Sequence, residues 1–173
     1  MTSIVKAGEK DASLLSEIAT LTFIESHGHS AKPEDINAYV TAKYSRNAFE
    51  KELTDAKNTY HILYHDQRPA GYSKIIFDSP YTGSPISNIT KLERIYLLKE
   101  FYNLQLGSQL FQFNVDLSKR NNQLGIWLYV WKENTRAVDF YKRKGFLITG
   151  SHDFKISETH SNPNHQMFLL YRD

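Results

Sequence analysis

The chain has 173 residues, a formal net charge of +2 and no cysteine. At roughly 150 residues per domain this length points to a single domain spanning 1–173, large enough to bury about 70% of its extended surface without staples. The missing cysteine excludes a disulfide framework, a thiolate zinc site and a cysteine nucleophile, and the mixed acids and bases lack the basic stripe that nucleic acid demands.

Taken in order, Ser3–Ala7 alternates weakly and predicts an edge strand. Asp11 is an N-cap for a helix carrying Leu14, Leu15, Ile18 and Leu21 at helical spacing, running to about Ile24. Glu25–Ser30 breaks it. Pro33 then opens a short helix with Glu34 and Asp35 in its first turn and Ile36, Tyr39 and Val40 as its apolar face. Ser45 caps a third helix with Phe49 and Leu53 four apart. Thr59–Tyr64 and Ala70–Phe77 read as a hairpin turned at Asp66–Pro69. Asp78–Pro85 is a loop by its prolines and glycine.

Thr90–Leu98 predicts a strand, with Leu92, Arg94 and Tyr96 on one face and Glu93, Ile95 and Leu97 on the other. After a turn at Phe101–Gln105, Leu106, Leu110, Phe113 and Leu117 make one helical stripe. Gly125–Trp131 is apolar on both faces, as a central strand is. Asn134 caps a helix that Gly145 ends. Phe146–Ile156 and Gln166–Tyr171 close the set, with Ser157–Asn164 as the loop between them. This order predicts an α/β or α+β fold on a single sheet of mixed direction.

Three features of the central stretch carry chemistry. The strand–turn–helix at Tyr102–Ser108 presents helix-start amides and the positive end of a helix dipole, a site for pyrophosphate. Gly107 lets backbone approach it, and Ser108 adds a hydroxyl; an ordinary turn with a convenient glycine explains the same residues. Glu93, a carboxylate in a mostly apolar strand, lines a cavity or faces water. Tyr141 is either a core aromatic beside Phe140 or, in a cleft, an acid able to protonate a leaving thiolate, since a phenol near pKa ~10 matches an alkyl thiolate in proton affinity. Arg136, Lys142, Arg143 and Lys144 form a basic helix end, solvated or touching a nucleotide phosphate.

The seven histidines are scattered. His27 and His29, two apart, do not share a helix face and read as solvated loop residues, so no metal is expected. No secretory signal is visible in MTSIVKAGEKDASLL, and no ~18-residue apolar run predicts a membrane span. A cytoplasmic setting suits a chain without cysteine.

From about Tyr60 to Phe146 the chain resembles the GCN5-related N-acetyltransferase superfamily. The resemblance rests on Leu92-Glu-Arg-Ile-Tyr-Leu97, on Leu104-Gln-Leu-Gly-Ser-Gln-Leu110, on Asn134 with Ala137, Phe140, Tyr141, Gly145 and Phe146, and on Gly71-Tyr72. Within the superfamily it is most similar to bacterial spermidine/spermine N-acetyltransferases, through Phe23-x-Glu25, Pro33-Glu-Asp-Ile36 and Trp131-Lys-Glu-Asn134. The superfamily's pyrophosphate loop usually reads Arg/Gln-x-x-Gly-x-Gly/Ala. Here those places hold Tyr102, Gln105 and Gly107, so the first glycine is a glutamine.

The resemblance implies a mixed, mostly antiparallel sheet of six to seven strands, flanked by helices and splayed at its central strands. It implies acetyl-CoA as co-substrate. Ile95, Tyr96 and Leu97 would pair by backbone with the pantetheine arm. Leu104, Gln105, Gly107 and Ser108 would hold the pyrophosphate, Asn134 the arm, and Arg143 the nucleotide phosphate. An amide of Ile95 or Tyr96 would polarise the thioester carbonyl.

The expected reaction is direct transfer to a primary amine. Glu93 deprotonates the amine through water and Tyr141 protonates the departing thiolate. The N-terminal helices and last loop would receive the acceptor. Their Glu25, His27, Glu34 and Asp35, with His29, Asp153 and Glu158, would suit a cationic polyamine such as spermidine if they cluster, and scattered solvated acids are the other outcome. An amino acid, a protein N-terminus or a lysine is the alternative acceptor, and a non-enzymatic acetyl-CoA-binding regulator the alternative class. A sheet of this size suits a homodimer; nucleic acid and membrane are not expected partners.

Overall fold

The computed structural model describes residues 1–172. In chain order the elements are β1 (Thr2–Lys6), α1 (Ala12–His27), α2 (Pro33–Lys43), α3 (Arg46–Thr54), β2 (Thr59–His65), β3 (Arg68–Ile76), β4 (Thr90–Leu97), α4 (Leu106–Arg120), β5 (Gly125–Trp131), α5 (Thr135–Arg143), β6 (Leu147–Lys155) and β7 (Ser161–Leu170). The strands form a seven-stranded sheet in the order β1-β2-β3-β4-β5-β7-β6. β1 with β2, β2 with β3, β5 with β7 and β6 with β7 are antiparallel. So are β3 and β4, because the Leu98 amide donates to Ala70 O at 2.9 Å while the Ser79 amide donates to Ile89 O at 3.0 Å. β4 and β5 run parallel and pair at Thr90↔Ile126 and Lys91↔Trp127, after which β4 continues to Leu97. This is the mixed, mostly antiparallel sheet expected. Among the described residues no helix is long and apolar enough to cross a membrane.

Short-range chemistry sets most of the element ends. The Ser45 Oγ accepts from the Ala48 amide at 3.2 Å, and Asn134 Oδ1 accepts from the Ala137 amide at 3.3 Å, capping α3 and α5. Pro33 occupies the first turn of α2. Asp66 and Gln67, at φ 47° and 65°, make the two-residue left-handed turn that suits the twist of β2 and β3. Gly145, at φ 98°, takes the left-handed position that ends α5.

Three local expectations are corrected. Asp11 stands at the N-cap position of α1 as expected, but its carboxylate accepts from the Gly8 amide at 2.9 Å, closing a short 3-10 turn, and makes no cap bond to α1. α4 buries Leu106, Leu110, Phe111, Asn114, Val115 and Ser118, a stripe rotated from the one drawn through Phe113 and Leu117. Asn114 and Ser118 belong to it because they bond strand side chains: Ser73 Oγ donates to Asn114 Oδ1 at 3.3 Å, and Thr90 Oγ1 lies 2.6 Å from Ser118 Oγ. β7 begins at Ser161, because Asn162 and Pro163 pair with Phe154 and Asp153 of β6. A proline donates nothing to a ladder, but Pro163 O still accepts from the Lys132 amide at 2.9 Å.

The chain separates into two compact units. The first holds Met1–Ile75 and Arg94–Asn114. On one face of its strands Leu63, Ala70, Ile95 and Leu97 pack with Leu106 and Leu110 of α4. On the other, Tyr60, Tyr72 and Tyr96 stand in a row across β2, β3 and β4, with ring centroids 6.4 and 6.1 Å apart. That row is covered by Phe23 and His27 of α1 and by Tyr44 and Phe49. Successive strand residues alternate faces, so β4 offers Ile95 and Leu97 to one layer and Tyr96 to the other.

The second unit holds Ile76–Glu93 and the residues from Val115 onward. Its β5 buries Ile126, Trp127, Leu128, Val130 and Trp131. Trp127 Nε1 donates to Ser79 O at 2.6 Å, and Tyr81 packs edge-on against both Trp127 and Phe168.

Candidate active site

In the first unit, β4 runs into the turn that opens α4. Lys99–Phe101 form one 3-10 turn, and Asn103 and Gln105 follow at φ 66° and 61°. Gln105 stands at the place where the acetyltransferase pattern has its first glycine, and it adopts the conformation a glycine favours there. Holding an L-residue in that region costs about 1 kcal/mol. The side chain departs from the pattern and the backbone does not.

The Gln109 amide donates to Gln105 O at 3.1 Å and closes the first turn of α4. The amides of that turn lack intrahelical acceptors by construction and lie at the positive end of the helix dipole. Leu104 and Gln105 are exposed, and Gly107 and Ser108 half-buried. A Cβ on Gly107 would stand 3.4 Å from Leu97 Cδ1, so the helix start lies close against the end of β4. A pyrophosphate fits this arrangement of accessible backbone donors.

The opposite face of β4 holds a group that sequence reasoning did not single out. Glu52 of α3 takes Lys74 Nζ on Oε1 at 2.6 Å, and its Oε2 accepts from the Tyr60 phenol and lies 3.6 Å from Arg94 Nη1. Arg94 Nη1 also lies 3.1 Å from the Tyr60 oxygen, and its guanidinium sits 4.9 Å over the Tyr44 ring. Burial works upward on the Glu52 carboxyl, but Arg94, Lys74 and Tyr60 outweigh it and hold it below the usual range. The sequence signal was Lys74 and Arg94 standing two residues from Tyr72 and Tyr96, and so on the same strand face as those rings.

The acceptor-side residues divide among separate tasks. Both Glu25 oxygens lie 3.3 Å from the Lys99 amide, tying the end of α1 to the turn after β4. His27, expected in solvent, is instead buried: it stacks on Phe23 at 5.0 Å and meets Tyr96 edge-on at 6.2 Å. Burial, with the charge of His29, lowers its pKa to about 4, so the imidazole is neutral at pH 7. Glu34 and Asp35 lie in the first turn of α2, where negative charge suits the helix dipole. Among the described residues no cluster of three or more imidazole and carboxylate groups has the makings of a metal site.

In the second unit, Glu93 is exposed on β4. Asn134 uses its Oδ1 to cap α5, which leaves the carboxamide nitrogen as its donor. Arg143 is exposed in the last turn of α5. Tyr141 is buried, with Phe140 and Phe146 edge-on at 5.3 and 5.2 Å. Burial pushes its phenol well up, so it holds its proton at neutral pH.

A mixed, mostly antiparallel seven-stranded sheet flanked by helices, with its parallel step at β4–β5, is the fold of the GNAT acetyltransferases. The model of the acetyltransferase (GNAT) family matches residues 15–146, and the chain belongs to that family. It is an N-acetyltransferase that uses acetyl-CoA as co-substrate. An uncharacterized N-acetyltransferase from Lactobacillus delbrueckii subsp. lactis is 29% identical over 155 residues, 90% of each chain. A spermidine N(1)-acetyltransferase from Thermoplasma acidophilum is 23% identical over 165 residues, 92% of this chain and 98% of that one. The solved structure of PaiA N-acetyltransferase from the same organism, in complex with coenzyme A, shares the fold with a TM-score of 0.79 at 20% identity over 99% of both chains.

Proposed function

We propose that the chain works as one acetyltransferase domain whose acceptor is a small primary amine, attacked directly without a covalent enzyme intermediate. The observation that carries this reading is the turn in which Gln105 takes up the backbone conformation of the missing glycine. Acetyl-CoA supplies an activated acyl thioester. The backbone of Ile95, Tyr96 and Leu97 holds its extended arm as an added strand would be held. Leu104, Gln105, Gly107 and Ser108 take the pyrophosphate, Asn134 contributes its amide nitrogen, and Arg143 meets the nucleotide phosphate. A backbone N–H of Ile95 or Tyr96 serves as oxyanion donor. Glu93, in contact with solvent, collects the proton of the incoming ammonium through water, and Tyr141 delivers its own to the leaving sulfur. Holding the two substrates in line supplies most of the acceleration.

A polyamine is the acceptor named for the Thermoplasma relative, and the carboxylates of Glu25, Glu34 and Asp35 would receive its charge, the buried and neutral His27 adding none. A second reading, an amine that also bears an acid group, is favoured by Arg94. The cytosol is the place of action in this reading, and a homodimer its assembly.

The test is release of free CoA thiol with a panel of polyamines, amino acids and aminoglycosides. Tyr141→Phe keeps the buried ring and removes the acid, so kcat should fall roughly a hundredfold or more. An unchanged kcat in that variant would sink the acid role.

A further inference from the structure

Arg94 carries an edge that the protein itself leaves unused. Its Nη1 faces the Tyr60 oxygen at 3.1 Å and Glu52 Oε2 at 3.6 Å, whereas Nε and Nη2 have no hydrogen-bond partner among the described residues. The guanidinium lies over the rings of Tyr44 at 4.9 Å and Phe49 at 5.8 Å. The guanidinium is therefore held against two aromatic rings and at one nitrogen by Glu52 and Tyr60. The side chain is 13% exposed, so the unused edge is neither sealed in the core nor freely hydrated.

A planar fork of two parallel N–H groups is the form of arginine that takes a carboxylate bidentately. Neither nitrogen is sealed from solvent, so an anion can reach both. A second donor in the same neighbourhood also lacks an acceptor. The Tyr72 phenol, fully buried in the middle of the tyrosine row, has no partner among the described residues, and it lies near enough to Arg94 to feel its charge.

The position along the strand connects this edge to the transfer reaction. Arg94 immediately precedes Ile95–Leu97. At about 3.3 Å per strand residue, its Cα lies roughly 7 Å from that of Tyr96. Tyr96 in turn meets the neutral His27 from α1. An acceptor anchored at Arg94 thus lies beside the stretch of β4 assigned to the acyl donor.

We propose that the acceptor amine bears a carboxylate, as an amino acid does, and that the Nε–Nη2 edge of Arg94 binds that carboxylate. This rests on the acetyl-transfer reading above and narrows its acceptor class. A polycation without an acid group leaves the edge of Arg94 unfilled and meets its positive charge.

Matched amines that differ only by the carboxylate test it: lysine against cadaverine, and ornithine against putrescine. Two readouts are needed, thiol release with acetyl-CoA and calorimetric binding of each amine without it. The acid-bearing member of each pair should have a kcat/KM roughly ten- to hundredfold higher, through KM, and should bind more tightly. Arg94→Lys keeps the charge and removes the fork, so the ratio within each pair should collapse toward one; Arg94→Gln provides a second variant if that protein is unstable. Equal use of both members by the unaltered enzyme, preference for the diamines, or a ratio that survives Arg94→Lys would overturn the inference while leaving acetyl transfer intact. Lysine binding through Arg94 with no thiol release from any amine would overturn the transfer reading instead.

Discussion

Replacing Gln105 by glycine isolates the one residue at which the chain departs from its family's phosphate turn. Gln105 is exposed and sits at φ 61°. Relief of a left-handed L-residue is worth about 1–1.5 kcal/mol. The extra freedom that glycine has in the unfolded chain offsets about 0.7 kcal/mol of this. A net gain of about 0.5 kcal/mol remains, or about 1–2 °C in Tm for a domain of this size. The Gln109–Gln105 bond is backbone to backbone and survives the change. Gln105→Val is the opposite perturbation: a β-branched residue in that region is a genuine outlier, and it should lose about 1–2 kcal/mol relative to glutamine. Thermal melts of the three proteins should rank glycine above glutamine above valine, and acetyl-CoA affinity should follow the same order. Glycine below glutamine, or valine level with it, would refute the claim that the turn keeps its left-handed position.

Three other outcomes are expected. His61 is buried and edge-on to Phe113 at 4.8 Å; its pKa is lowered to about 4 by burial and then by Lys6. A depressed folded pKa means its contribution is complete above pH 6.5 and is lost as pH falls toward 4. Between pH 6.5 and 5 this amounts to about 2 kcal/mol, and urea melts of His61→Leu should show an acid loss smaller by that amount. Gly71→Ala places a Cβ against the Tyr96 carbonyl and 2.6 Å from Leu97 Cδ2. It should cost about 2 kcal/mol or more in denaturant melts and weaken acetyl-CoA binding, because it displaces the stretch of β4 assigned to the donor. Glu52→Gln removes the carboxylate shared by Lys74, whose side chain is only 4% exposed, and Arg94. It should cost about 3 kcal/mol in chemical unfolding. Because the Glu52 carboxyl is held below the usual carboxylate range by Arg94, Lys74 and Tyr60, the wild-type contribution should persist above that range and fade as pH falls through it.

Much of the fold was legible because its signals are local. Ser45, Asn134 and Pro33 mark helix starts through bonds or ring geometry within a few residues, and Gly145 marks an end through its own φ. Phe113 and Leu117 misled because hydrophobic spacing ignores polar groups that are buried when paired. Asn114 and Ser118 meet Ser73 and Thr90, residues 41 and 28 positions away. Asp11 misled in the same way: a capping residue type says that an amide will be held, not which amide.

The sequence by itself determined the order of strands and helices, the family to which the chain belongs, and the residues that carry its signature, because periodicity, caps and motif spacing are written over short distances. Only the tertiary structure decided the backbone of Gln105, the burial of His27 and the environment of Arg94. The physical reason is common to all three. A left-handed glutamine is held by the helix it opens and the strand it follows. A histidine becomes neutral through the rings packed on it. The useful edge of Arg94 is defined by what Tyr44, Glu52 and Tyr60 occupy, and those residues lie 34 to 50 positions earlier in the chain.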